Sequence, residues 1–186
     1  MDFYYDRGLV NRFQAVRIKG HHSDRWQFRG HDAGFFSGFA CRVTGKFLSW
    51  ASPDRVCWML HLESETKGHS IAVKVWNNGE LEVGRSPWTA PDFPLPRVKP
   101  LRPAALRPAG EANTLLVALQ GRTLSIWGND APACDPITLE KDIAPINHGV
   151  GMWQFASGGG GEAGEARAEF SRFTLWRLPP SSQAKP

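Results

Sequence analysis

Ile71-Ala-Val-Lys-Val-Trp76, then Asn77-Asn78-Gly79, then Glu80-Leu-Glu-Val83 is the stretch that decides the fold class. Ile71, Val73 and Val75 fall on one side, and Ala72, Lys74 and Trp76 on the other, which is the period of two that a strand imposes. Asn-Gly supplies the positive φ angles of a tight hairpin, so the two runs are expected to pair antiparallel.

The same pattern recurs along the chain. Phe39, Cys41, Val43 and Phe47 share one face of a run whose other face carries Arg42, Thr44 and Lys46. Val56, Trp58, Leu60 and Leu62 alternate with Cys57, Met59, His61 and Glu63, so both faces of this run are nearly dry and the strand is expected to be central. A second hairpin is written in Asn113–Leu119, a turn at Gln120-Gly121, and Arg122–Trp127, with Leu115, Val117 and Leu119 meeting Leu124 and Ile126. Gly149–Phe155 and Ala166–Leu178 read as the last strands, the second changing phase near Ser171 as a bulge would make it. Helical periodicity is hard to find, and about eight to twelve strands are expected. The fold class is all-β, an antiparallel two-sheet sandwich.

Composition agrees. The 186 residues are 41% apolar and 22% charged, an ordinary globular balance, and 11 Phe with 8 Trp favour pleated surfaces over helices. One sandwich domain over residues 1–178 is expected, followed by a flexible tail from 179 to 186 rich in proline and serine. The formal charge of +4 is mild and its Lys and Arg are scattered, which argues against nucleic acid as the partner. Cys41, Cys57 and Cys134 are odd in number and show no zinc spacing, so free thiols in a reducing setting are expected. Neither a signal-peptide pattern nor an apolar run near the ~20 residues of a membrane span is present, which gives a cytoplasmic setting by default and no membrane partner.

Two stretches read as loops. Residues 86–112 carry prolines at 87, 91, 94, 96, 100, 103 and 108, too many for a central strand, so this segment is expected along an edge or surface. Ser157-Gly-Gly-Gly-Gly-Glu-Ala-Gly164 reads as a glycine connection without phosphate-binding chemistry.

The run Ala109-Gly-Glu-Ala-Asn-Thr-Leu-Leu-Val-Ala-Leu-Gln-Gly-Arg-Thr-Leu-Ser-Ile-Trp-Gly-Asn129, with Gly149-Val-Gly-Met-Trp153 and Ala168–Leu178, resembles concanavalin A-like lectin/glucanase domains. It is similar above all to their laminin-G-like and 3-keto-disaccharide-hydrolase-like members. The resemblance spans residues 36–178 and rests on packing and turn chemistry. Ala112 stands where those domains usually have Trp, and Asp130 where they usually have Gly, which marks a divergent member. The resemblance implies a jelly roll whose curved inner sheet or loop rim binds carbohydrate, as a module inside a larger bacterial protein.

Sugar recognition needs flat rings against C–H faces and a few polar groups for the hydroxyls. Trp76 with Lys74 on its face, Trp127, Trp153 and His61 are the candidate ligand-binding residues, although any single Trp can equally plug the core of a sandwich. The Glu-x-Asp-x-x-Glu motif of the resembled glucanases is absent, so no catalytic residue is assigned. Glu63-Ser-Glu65 and Glu80-Leu-Glu82 read as solvated hairpin faces. His21, His22, Asp24, His31 and Asp32 cluster around Trp26 without a recognised ligand spacing, so no metal is assigned, and no cofactor motif is read. Arg85, Arg97, Lys99, Arg102 and Arg107, with Trp88 and Phe93, could grip an acidic polysaccharide or an acidic protein surface, or simply keep the loop in water.

Three functions remain open on the sequence. The leading one is a non-catalytic module for a carbohydrate or a protein partner. The second is a glycoside-processing enzyme using His61 and Glu63, and the third a structural or interaction domain.

Overall fold

The computed structural model describes residues 2–7, 11–16, 29–30, 37–50, 55–65, 70–85, 98–143, 146–155 and 165–179, with side chains placed for 37–50, 55–65, 70–84, 98–143, 146 and 167–179. These residues hold thirteen strands and no helix. In chain order they are β1 (Asp2–Arg7), β2 (Asn11–Val16), β3 (Arg29–Gly30), β4 (Phe39–Ser49), β5 (Arg55–Ser64), β6 (Ser70–Trp76) and β7 (Leu81–Arg85). They continue with β8 (Asn113–Gln120), β9 (Thr123–Gly128), β10 (Ala131–Pro132), β11 (Ile137–Thr138), β12 (Ile146–Phe155) and β13 (Glu165–Arg177). The count exceeds the expected range because β1, β2 and β3 lie in the N-terminal thirty residues, where the sequence shows little alternation.

One sheet has eight strands, in the order β1-β13-β4-β8-β9-β10, with β2 also on β13 and β11 also on β9. The other has five, β3-β12-β5-β6-β7, which makes β5 central as its two dry faces require. Every pairing is antiparallel.

The core lies between the sheets. The larger sheet contributes Phe39, Cys41, Val43 and Phe47 of β4, Leu115, Val117 and Leu119 of β8, and Ala168, Phe170, Phe173 and Leu175 of β13. The smaller contributes Val56, Trp58, Leu60 and Leu62 of β5 and Ile71, Val73 and Val75 of β6. Trp58 reaches across and meets the Phe170 ring edge to face at 5.8 Å. Room for its indole is made by Gly45, where a Cβ would stand 2.6 Å from the Trp58 ring.

The turns refine the sequence reading. In the β6–β7 loop only Gly79 has a positive φ, 82°, and Asn78 does not. Residues 77–79 form a three-residue loop closed by Trp76 N to Glu80 O at 2.8 Å, the geometry in which one glycine takes the left-handed position. The β8–β9 turn is Gly121-Arg122 rather than Gln120-Gly121, and Gly121 at φ 58° takes the first central position of a type II′ turn. Val117 therefore pairs with Ile126 and Leu119 with Leu124. Asn129 and Asp130, at φ 47° and 68°, form the two-residue turn into β10. Asp130 thus adopts the conformation for which glycine is the usual choice, and its carboxylate accepts a hydrogen bond from Arg42 at 2.8 Å.

In β13 the register shifts between Ser171 and Thr174, with Arg172 at φ 52°. This is the expected bulge, and it moves the buried positions from Ala168 and Phe170 to Phe173 and Leu175. In the described part of the proline-rich segment, residues 98–112, Leu101 exchanges backbone hydrogen bonds with Leu81 of edge strand β7 at 2.8 and 2.9 Å, as expected of an edge. No helix among the described residues is long and apolar enough to cross a membrane.

Candidate functional site

A sandwich requires each sheet to be dry on one face only. In the five-stranded sheet, β6 and most of β5 are dry on both. On the face turned away from the core, Cys57 and Met59 of β5 are fully buried, and Ala72 and Trp76 of β6 join them in a second, small apolar cluster. His61 at 5% exposure and Lys74 at 4% are buried among them, and all seven residues of β6 are buried.

Register sets the rows of this face, because directly opposed residues share a face. Trp153 of β12 stands opposite Cys57, which stands opposite Trp76. The next row runs Gly151, Met59, Lys74 and Glu82, and the one after it Gly149, His61, Ala72 and Gly84.

Glu82 ties the face together. Its Oε1 accepts a hydrogen bond from Lys74 Nζ at 2.7 Å, and its Oε2 accepts one from the Trp76 indole Nε1 at 3.0 Å. An ammonium buried without a partner would cost several kcal/mol, and the carboxylate of Glu82 offsets part of that cost. Gly84 keeps the space open, since a Cβ there would come within 3.3 Å of Glu82 Oε1.

At one end of the face the charges reach the surface. The Arg55 guanidinium lies 4.5 Å from the centroid of the Trp76 ring, within the range of a cation–π contact. Its Nη2 also donates to Glu80 Oε2 at 2.8 Å, while Arg102 Nη2 donates to Glu80 Oε1 at 3.3 Å. The Asn78 side-chain hydrogen bond, against the opposing effect of burial and helped by Arg102 and Arg55, holds the Glu80 carboxyl below its usual range.

His61 is pushed down to about 4 by burial, so its imidazole is neutral at pH 7. Burial pushes the Cys41 thiol up, and it raises Cys134 as well, aided by the Asp135 charge. Neither is a ready nucleophile, because the thiolate is the reactive form. All three cysteines are free.

The residues singled out from sequence divide between the sheets. Trp76, Lys74 and His61 come together on the outer face of the five-stranded sheet, and Trp153 takes a register position in the same rows. Trp127 does not join them. It belongs to β9 of the eight-stranded sheet, opposite Leu116 and Pro132, and is half-buried. Trp76 is only 2% exposed, so its ring is no open platform. The Glu80-Leu-Glu82 pair is no solvated hairpin face either, since both carboxylates are held in ion pairs. Glu63 and Glu65 are exposed. Arg102 of the proline-rich stretch pairs with Glu80. The His21, His22, Asp24, His31 and Asp32 cluster, Trp26, Trp88, Phe93, Arg97 and the 157–164 glycine segment lie outside the described residues. Among the described residues no group of three His, Cys, Asp or Glu side chains is placed to hold a metal.

Sequence reasoning missed Arg55 and the role of Glu82. The three-residue loop at 77–79 already implies that Lys74 faces Glu82, whereas the Arg55 contact crosses from another strand and leaves no local trace.

No family model matches the chain, and no curated protein matches it by sequence. Solved structures do match by shape. A carbohydrate-binding module from Bacillus subtilis aligns with TM-score 0.56 at 11% identity, over 87% of this chain and 94% of that one. A Bacillus licheniformis β-glucanase aligns at 0.60 and 8% identity, over 94% of each chain. Alginate lyase A1-II′, a member of polysaccharide lyase family 7, aligns at 0.58 and 10%, over 91% of this chain and 81% of that one. At such identities the likeness is one of fold, and the fold of this chain is the concanavalin A-like jelly-roll sandwich.

Proposed function

We propose that this chain is a carbohydrate-recognising module, non-catalytic, whose ligand face is the outer face of the five-stranded sheet. The observation that carries the reading is that Lys74 and Trp76 are both hydrogen-bonded to the part-exposed Glu82, beside the buried His61, on a face the sandwich core does not use. Fixed polar groups are what sugar hydroxyls require. Glu82 is 26% exposed and each of its oxygens accepts one hydrogen bond, which leaves acceptor sites for hydroxyl donors. Solved structures of the same fold include a carbohydrate-binding module, a β-glucanase and an alginate lyase, which supports the same ligand class.

A glycan array probed with the whole chain tests this. At least one saccharide class should be retained, and Glu82→Gln should weaken retention by about tenfold or more, the loss of one hydrogen bond to a charged group. Trp127→Ala, on the other sheet, should leave it unchanged. A chain that retains no saccharide would leave a structural or interaction domain as the function.

The enzymatic alternative has His61 and Glu63 acting on a sugar, and one observation favours it: the two stand two residues apart on β5 and so share one face of the strand. New reducing ends released from an array-positive saccharide, and lost in His61→Gln, would replace the module by the enzyme.

A further inference from the structure

We infer that Arg55 and Arg102, set side by side by Glu80, form a subsite for the carboxylate of an acidic sugar at the β6–β7 end of the outer face. The inference rests on the carbohydrate reading and narrows it to uronate-containing saccharides.

Three observations meet here. The first is charge: two guanidiniums share a single carboxylate, so the trio keeps a net positive charge, and Lys99 is exposed three residues before Arg102. Glu80 stays ionised, held below the usual carboxylate range, so it spaces the two arginines without leaving them. The second is unused donor capacity. Each guanidinium carries five N–H donors, and among the described residues each gives Glu80 one hydrogen bond. Arg55 and Arg102 have side-chain exposures of 49% and 71%, so their remaining donors face solvent. The third is pre-organisation. Arg55 is held from one side by the Trp76 ring and from another by Glu80, and the Leu101–Leu81 bridge fixes the backbone beside Arg102. A planar fork held in place suits a carboxylate, which it can grip with two parallel hydrogen bonds. A uronate seated there would lie at the end of the proposed ligand face, since Arg55 touches both Trp76 and Glu80.

The test compares the whole chain with three probes: an oligogalacturonate hexamer, the same hexamer with its carboxyls methyl-esterified, and a neutral glucan hexamer. Calorimetry should show the acid binding at least about tenfold more tightly than the ester, with affinity falling as salt rises. Arg102→Ala should remove most of that preference with its melting temperature unchanged, because the side chain is exposed. Arg55→Lys, which keeps the charge and loses the fork, should lower acid affinity while leaving the neutral probe unaffected. Equal binding of acid, ester and neutral glucan would overturn the subsite while the carbohydrate reading stands. An acid preference that survives Arg102→Ala would overturn its location. Absence of binding to all three, together with an empty glycan array, would remove the carbohydrate reading and this inference with it. Tighter binding of a single-stranded oligonucleotide than of the hexamer would reassign the arginine pair to another polyanion.

Discussion

His61 shows what burial does to one side chain. Its ordinary pKa is 6.5 and in the folded chain it is about 4, so between those values the unfolded chain binds a proton that the folded chain refuses. Stability from this group is complete above pH 6.5 and is lost as the pH falls toward 4, with a total on the order of 3 kcal/mol. Urea unfolding from pH 7.5 down to 4.5 should show this loss, and His61→Gln should flatten it. An imidazole resonance of His61 that titrates near 6.5 in the folded protein would contradict the assignment. Alternation already marked the His61 face of β5 as nearly dry, but the shift depends on how completely the assembled fold buries the ring, which no local pattern records. Trp76 carries the same lesson. Its face was readable from alternation, but its contact with Arg55 was not, because Arg55 lies 21 residues away and on a different strand.

At the scale of the element, strands and faces were legible because alternation is local. The faces of β4, β5, β6 and β8 fall where Phe39, Val56, Ile71 and Leu115 set them. The bulge in β13 was legible too, since one extra residue must reverse the alternation of everything after it. Turn registers were readable only in part. Placing the β8–β9 turn one residue early keeps the same residues inward but pairs the wrong ones, and only the left-handed backbone at Gly121 fixes it. Packing between sheets left even less trace. Gly45 interrupts a strand face otherwise built from Phe39, Cys41, Val43 and Phe47, and the reason lies across the core in the Trp58 indole. Gly45→Ala should therefore destabilise the chain by about 1–3 kcal/mol through overpacking, measured by denaturant unfolding. Pairing it with Trp58→Phe should recover part of that loss. A Gly45→Ala chain as stable as the parent would show that the indole can move aside.

For the whole molecule, the two-sheet architecture followed from strands, turns and composition, and shape comparison agrees with it across most of the chain. The N-terminal strands were not read, because β1, β2 and β3 are short or weakly alternating and are held by pairing with β13 and β12 far along the chain. Nor could the sequence show that its five candidate ligand residues divide between sheets, since strand order is a property of the assembled sandwich. That division makes the central claim testable in one experiment. The backbone amide spectrum is recorded while the saccharide retained on the array is titrated in. The account predicts that shifts gather on Arg55–Glu63, Ser70–Trp76 and Leu81–Val83, together with the Trp76 indole N–H. Shifts gathered instead on Leu116, Trp127 and Trp176 would place the ligand on the eight-stranded sheet and contradict it.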